Sequence, residues 1–183
     1  MIVAHFHPIT LDLDFSQFVT ADYSHVADDS PVLHQKQNLS WLYEPYGGYP
    51  DSFVDLNTRL RQRWWGPVDV DYNNIGQQLN IDIVTVSSLR QEPGNVVPLH
   101  VDAFYRMKQL RPLDGRLPVR ANIFLQDADI GHMLQFVAND EIVTNASWTA
   151  GQGYRFDQNV PHLSCNAGMT PKYTLQVSGF LRS

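Results

Sequence analysis

Beyond residue 78 the chain is divided into short apolar-rich runs by clusters of Gly, Pro, Asn and Asp, and this punctuation restricts the fold more than any other feature. In LNIDIVTVSSL, Leu79, Ile81 and Ile83 fall on one side of an extended chain. PVRANIFLQD, HMLQFV, EIVT, GYRF and KYTLQVSGFL follow as further strands. The opening differs. DSFVDLNTRLRQRWW brings Phe53, Leu56 and Leu60 to helical spacing behind Pro50, with Asp51 or Ser52 as the cap, and predicts a short amphipathic helix. Short strands after a mixed, helical opening predict a mainly β chain: an antiparallel double-sheet barrel with a few supporting helices in its N-terminal part.

A chain of 183 residues can bury most of its apolar surface in one core, so a single domain over 1–183 is expected. Hydrophobic content of 43% with 17% charged residues is the composition of a folded chain, not a disordered one. The formal net charge is −6 and no basic run occurs, which leaves no electrostatic stripe for a phosphate backbone and argues against nucleic acid as a partner. No segment approaches the ~20 apolar residues of a membrane span, and the N-terminus lacks a cationic start followed by a long apolar stretch, so no membrane association is expected. Cys165 stands alone, which excludes an intramolecular disulfide and points to a reducing, cytoplasmic location.

Chemistry enters with VVPLHVDAFYRM. Residues two apart in a strand project to one face, so His100 and Asp102 can present an imidazole nitrogen and a carboxylate oxygen to one point. FDQNVPHLSC supplies a second imidazole, His162, sixty residues after Asp102. Two His and one carboxylate make a facial triad for ferrous iron, which leaves three octahedral positions open. Lys172 follows His162 by ten residues, at the start of a predicted strand. A dicarboxylate that chelates iron through one end needs a cation at the other, because an unpaired carboxylate in a closed pocket is costly. Taken singly, the H-x-D pair and the lysine also fit a structural histidine and a solvated surface charge; together with His162 they fit a site.

These residues resemble the ferrous-iron and 2-oxoglutarate-dependent dioxygenases, whose shared pattern is H-x-D, a distal His, and about ten residues later an Arg or Lys for the far carboxylate. The chain is most similar to the aspartyl/asparaginyl β-hydroxylase branch. There the run before the distal His is W-x2-G-x4-F-D-x4-H, and Trp148, Gly151, Phe156, Asp157 and His162 occupy each of its positions. EPGNVVPLHVD resembles the branch's Pro-Gly loop, with one extra residue before His100, and VRANIFLQ places Arg120 and Asn122 where the branch has R-x-H. Lys172 stands where the branch usually has Arg, Asn122 replaces a His, and Asp102 is the ordinary ligand of the wider superfamily where some members of the branch have Gly.

The resemblance spans residues 79 to 181 and implies a double-stranded β-helix, a jelly-roll or cupin-like barrel, over 79–183, with 1–78 as support and cap. It implies that His100, Asp102 and His162 hold Fe(II), that Lys172 anchors 2-oxoglutarate, and that Arg120 and Asn122 help to hold the cosubstrate. Molecular oxygen is then the oxidant and ascorbate a helpful reductant. The implied activity is hydroxylation of a C–H bond in an amino acid, free or within a polypeptide, with release of succinate and CO2. The alternative is a non-catalytic cupin-type domain that keeps a metal for structure or for ligand recognition.

Other residues are open to two readings. Ser88 and Arg90, on the strand before the metal loop, are read as further cosubstrate or substrate contacts. His132 either points toward the site or is structural, and Arg63, Trp64 and Trp65 either line a substrate cap or plug a seam between elements. Arg106, Lys108, Arg111 and Arg116 are a handle for an acidic substrate or a solvated loop. Cys165 reads as a small core residue, and His5, His7, His25 and His34 have no paired carboxylate at useful spacing.

Overall fold

The computed structural model describes residues 6–23, 44, 60–138 and 141–182. Among them the elements are β1 (Phe6–Thr10), α1 (Ser16–Val19), β2 (Arg61–Trp65), α2 (Tyr72–Leu79), β3 (Ile81–Gln91), β4 (Val96–His100), α3 (Tyr105–Leu110), β5 (Pro118–Phe124), β6 (His132–Ala138), β7 (Glu141–Asn145), β8 (Gln152–Asp157), β9 (His162–Asn166) and β10 (Lys172–Leu181). Six strands form one sheet in the order β1-β8-β5-β10-β3-β2, and four form a second in the order β4-β9-β6-β7. Every pairing is antiparallel. This is the mainly β, double-sheet architecture expected from the punctuation of the sequence. None of the described helices is long and apolar enough to cross a membrane.

The larger sheet is apolar on its outer face. Val119, Ala121 and Ile123 of β5 and Leu175 and Val177 of β10 pack there with Phe18, Trp65, Ile75 and Leu79 from the N-terminal elements. Helix α2 lies on this face because its geometry is fixed at both ends. Asp71 caps it by accepting from the backbone N–H groups of Asn73 and Asn74, and Asn80 stops it in the left-handed conformation with φ 54°. The alternate residues Arg120 and Asn122, and Lys172, Thr174 and Gln176, point into the barrel. A second core, of Phe124, Leu134, Phe136, Trp148, Phe156 and Val160, closes the space between the two sheets.

Bulges decide which residues face inward. In β3, Ser178 pairs with Thr85 but Gly179 pairs with Ile83, so Val84 is the extra residue. Counting in twos from Ile81 and Ile83, both on the outer face, would send Ser88 inward; the bulge reverses the phase, and Val86 and Ser88 face outward. In β4, Val97 pairs with Ser164 and His100 with His162, three steps on one strand against two on the other. This slip absorbs the extra residue noted before His100. Pro98, which has no N–H to donate to a ladder, sits within it.

Two expectations are corrected. Leu60 to Trp65 do not continue a helix: Arg61–Trp65 is a strand paired with β3, because Trp65 and Trp64 alternate between the outer core and the other face. The part of the predicted helix over 51–59 lies outside the described residues, as do His5, His25 and His34. Leu79 ends α2 instead of opening a strand with Ile81. From the part before residue 78, β1 and β2 contribute strands to the larger sheet.

Gly151, from the matched five-residue run, has φ +88°, and a Cβ there would sit 2.6 Å from the carbonyl oxygen of Leu11. Gly151→Ala is therefore expected to lower stability by about 2 kcal/mol in urea unfolding, from left-handed strain and that contact.

Candidate metal centre

The last residue of β4 and the first of β9 are directly opposed, which brings the His100 and His162 rings to a centroid distance of 4.2 Å. Asp102 follows β4 in irregular chain, so the turn, not the strand pleat assumed from the spacing, carries its carboxylate back to the imidazoles. One donor atom from each of His100, Asp102 and His162 lies within 4.8 Å of the others, and all three side chains are buried.

The backbone fixes both imidazole tautomers. His100 Nδ1 lies 2.8 Å from the carbonyl of Pro98, and His162 Nδ1 lies 3.0 Å from the carbonyl of Val160. A carbonyl oxygen only accepts, so each Nδ1 carries the proton and each Nε2 keeps a lone pair for a cation. Burial, followed by the neighbouring His162, pulls the pKa of His100 down to about 3, and burial also lowers that of His162. Both rings are thus neutral at pH 7, as metal ligation requires. Burial pushes Asp102 the other way, but Arg120 and the two imidazoles outweigh it and hold the carboxyl below its ordinary value. Arg120 Nη1 donates to Asp102 Oδ1 at 2.7 Å, and the same oxygen lies 3.9 Å from His100 Nε2, while Asp102 Oδ2 is buried without a hydrogen-bond partner among the described residues. A buried carboxylate oxygen with no donor is what a cation would satisfy.

Lys172 lines the same cavity as the three candidate ligands and is 1% exposed. Its Nζ donates to Met133 O at 2.8 Å, Gln91 Oε1 at 3.1 Å and Cys165 O at 3.4 Å, and it also contacts Ser164 Oγ. The Trp148 ring lies 5.8 Å away. None of these partners is a carboxylate, and burial pulls the ammonium pKa down to about 7. Gln91 and Ser164 were not singled out from the sequence, although Ser164 is two residues beyond His162 on β9 and Gln91 is the cross-strand neighbour of Lys172. Asn122 also lines the cavity, and its Oδ1 is buried without a partner.

The remaining candidates divide. Ser88 is not in the cavity: its hydroxyl accepts from Trp65 Nε1 at 2.8 Å and lies 2.7 Å from Tyr23 Oη, on the outer face. Trp65 plugs that seam against Phe18, whereas Trp64 is 38% exposed beneath the Arg106 guanidinium. Arg90 stacks on Tyr173 and pairs with Glu92. Arg111 pairs with Asp82, and Arg116 stacks on Phe180. His132 is structural: its Nδ1 accepts from Asp129 N–H at 3.3 Å and its Nε2 donates to Thr170 O at 3.2 Å. In the five-residue run, Trp148 stacks on Phe124 at 3.8 Å, Phe156 packs 4.7 Å from the His162 ring, and Asp157 Oδ1 accepts from Asn159 N–H in the turn before His162.

The histidines make the metal-free protein acid-sensitive. In the unfolded chain His100 takes up a proton near pH 6.5, whereas in the folded one it resists until about pH 3. Between these values the unfolded state binds more protons, so stability is expected to fall as pH drops below 6.5, a loss that His100→Gln should reduce in urea unfolding between pH 7 and 4.

No family model matches the chain, and no curated protein matches it in sequence. Solved structures do resemble it. A Pseudomonas putida prolyl-4-hydroxylase superposes with a TM-score of 0.52 at 17% identity, over 100% of this chain and 94% of that one. The non-heme α-ketoglutarate-dependent carbocyclase SnoK from nogalamycin biosynthesis gives 0.55 at 12% identity, over 96% and 79%. The non-heme monooxygenase ThoJ, in complex with nickel, gives 0.53 at 13% identity, over 98% and 74%. The chain shares the double-stranded β-helix fold of these structures, with two histidines and one aspartate gathered between its sheets.

Proposed function

We propose that the protein is an Fe(II)- and 2-oxoglutarate-dependent oxygenase that hydroxylates a C–H bond of an amino acid, free or within a polypeptide, and releases succinate and CO2. The observation that carries this reading is a buried ammonium, Lys172, that shares a cavity with a two-His, one-carboxylate cluster and has only neutral partners among the described residues. Such a cation calls for an anion, and a 2-oxo dicarboxylate is an anion with a metal-chelating head and a distant carboxylate. The residues fit the metal: two Nε2 lone pairs and one free carboxylate oxygen suit ferrous iron and leave coordination positions open.

Bound iron, 2-oxoglutarate and O2 supply the oxidising power for C–H hydroxylation. The chain's own residues bind, orient and exclude water. Pro98 and Val160 carbonyls aim the two imidazoles. Lys172 anchors the far carboxylate, exchanging neutral acceptors for a charged one. Asn122 lines the same cavity, and Leu89, Val97, Phe124 and Leu134 supply the dry wall. The matched five-residue run and the Arg120–Asn122 pair support the aspartyl/asparaginyl β-hydroxylase branch and hence an amino-acid substrate, and the likeness to a prolyl-4-hydroxylase agrees with it. The lone Cys165 and the net charge of −6 favour a cytoplasmic setting without nucleic acid.

Protein supplied with Fe(II), ascorbate and 2-oxoglutarate is expected to form succinate when candidate amino acids and peptides are screened, and His100→Ala and Asp102→Ala should abolish it. Undiminished turnover in both variants would reject the site. Lys172→Met should weaken anaerobic 2-oxoglutarate binding by about 100-fold or more, from loss of a buried charge pair, while leaving metal binding within a few-fold. At pH 8 a lysine with a pKa of about 7 is mostly neutral when unpaired and charged when paired, so 2-oxoglutarate binding should take up a proton. Calorimetry in two buffers of different ionisation enthalpy reads this directly.

A further inference from the structure

The sequence resemblance gives Arg120 to the cosubstrate, yet in the fold its guanidinium is already occupied. Nη1 donates to Asp102 Oδ1 at 2.7 Å and Nε donates to Ser178 Oγ at 3.1 Å. The guanidinium carbon lies 5.0 Å from the centroid of the Phe104 ring. Phe104 reaches that place with φ 55°, a left-handed conformation that costs a bulky residue about 1–2 kcal/mol, and its ring is buried with Met107 and Phe180. Strain two residues after a candidate ligand is thus tolerated where it sets the ring against the arginine. The outcome is asymmetric at Asp102: one oxygen is bound, and Oδ2 is buried without a partner.

We propose that Arg120 is a positioning residue for the metal ligand Asp102 and not a ligand of the cosubstrate. By holding Oδ1, which also lies 3.9 Å from His100 Nε2, it fixes the carboxylate beside the imidazoles as a single ligand, so that the chain offers three donor groups and leaves three octahedral positions for exogenous groups. A carboxylate released from the guanidinium could swing away or chelate through both oxygens. Charge works in the opposite direction, since a guanidinium repels a dication. Orientation outweighs it here, because outer partners of metal ligands typically contribute ~10–100-fold to metal affinity. This role presupposes the metal site proposed above.

The test uses Mn(II), which binds such sites without redox turnover, and full-length protein in the absence of 2-oxoglutarate. Wild type is expected to bind one Mn(II), Arg120→Met to bind it at least ~10-fold more weakly, Arg120→Lys to recover part of the loss, and Ser178→Ala to lose ~3-fold or more. At saturating Mn(II), 2-oxoglutarate affinity should then change less than ~3-fold in Arg120→Met, a split that general destabilisation would not give. Unchanged or tighter Mn(II) binding by Arg120→Met overturns the proposal, as does weakened 2-oxoglutarate binding with Mn(II) affinity intact. If Arg120→Met does not fold, Ser178→Ala decides: a loss of Mn(II) affinity supports the role and none refutes it. Wild-type protein that binds no Mn(II) would sink the metal site itself, a distinct failure.

Discussion

Two ionisable side chains, Asp102 and Lys172, are buried inside a two-sheet barrel with Arg120 half-buried beside the carboxylate, and the desolvation they suffer is the constraint to which the rest of the structure answers. Burying an ion costs several kcal/mol unless it is paired and hydrogen-bonded. Asp102 and Arg120 offset this for each other, and the carboxyl stays ionised against its burial. Among the described residues Lys172 has no such partner and is held by carbonyl, amide and hydroxyl oxygens. The protein therefore carries an unneutralised cation beside a cluster of metal donors.

Much of this was legible in the sequence because it depends on residue type and distance along the chain. The H-x-D pair, the distal histidine and the lysine ten residues later do converge on one cavity. Strand character from β3 onward was also readable, since alternation and turn residues are local properties. Features that depend on phase were not. A bulge changes which residues face inward without leaving a mark in composition, and Val84 accordingly moves Ser88 to the outer face. For Arg120 the spacing gives the face, and it does line the cavity, but the hydrogen bond to Asp102 could not be read from it, because spacing shows which face a side chain takes and not which acceptor it meets. Arg61–Trp65 fails for a similar reason: helical spacing in the preceding residues is overridden by pairing with β3.

The five matched residues around His162 are scaffold more than chemistry. Trp148 and Phe156 wedge the second core against the site, Gly151 permits a close backbone approach, and Asp157 ties the turn that delivers the imidazole. Of the five, only His162 belongs to the cluster of candidate metal donors.

The division of β5 and β10 into an apolar outer face and a polar inner one has a further consequence. Adhesion to the helical layer rests on Val119, Ala121, Ile123, Leu175 and Val177, whereas the cavity is lined by residues interleaved with them. Mutational drift at the interleaved positions can retune what the barrel accepts while leaving the outer layer untouched. Architecture and selectivity are inscribed on the same strands yet can evolve separately.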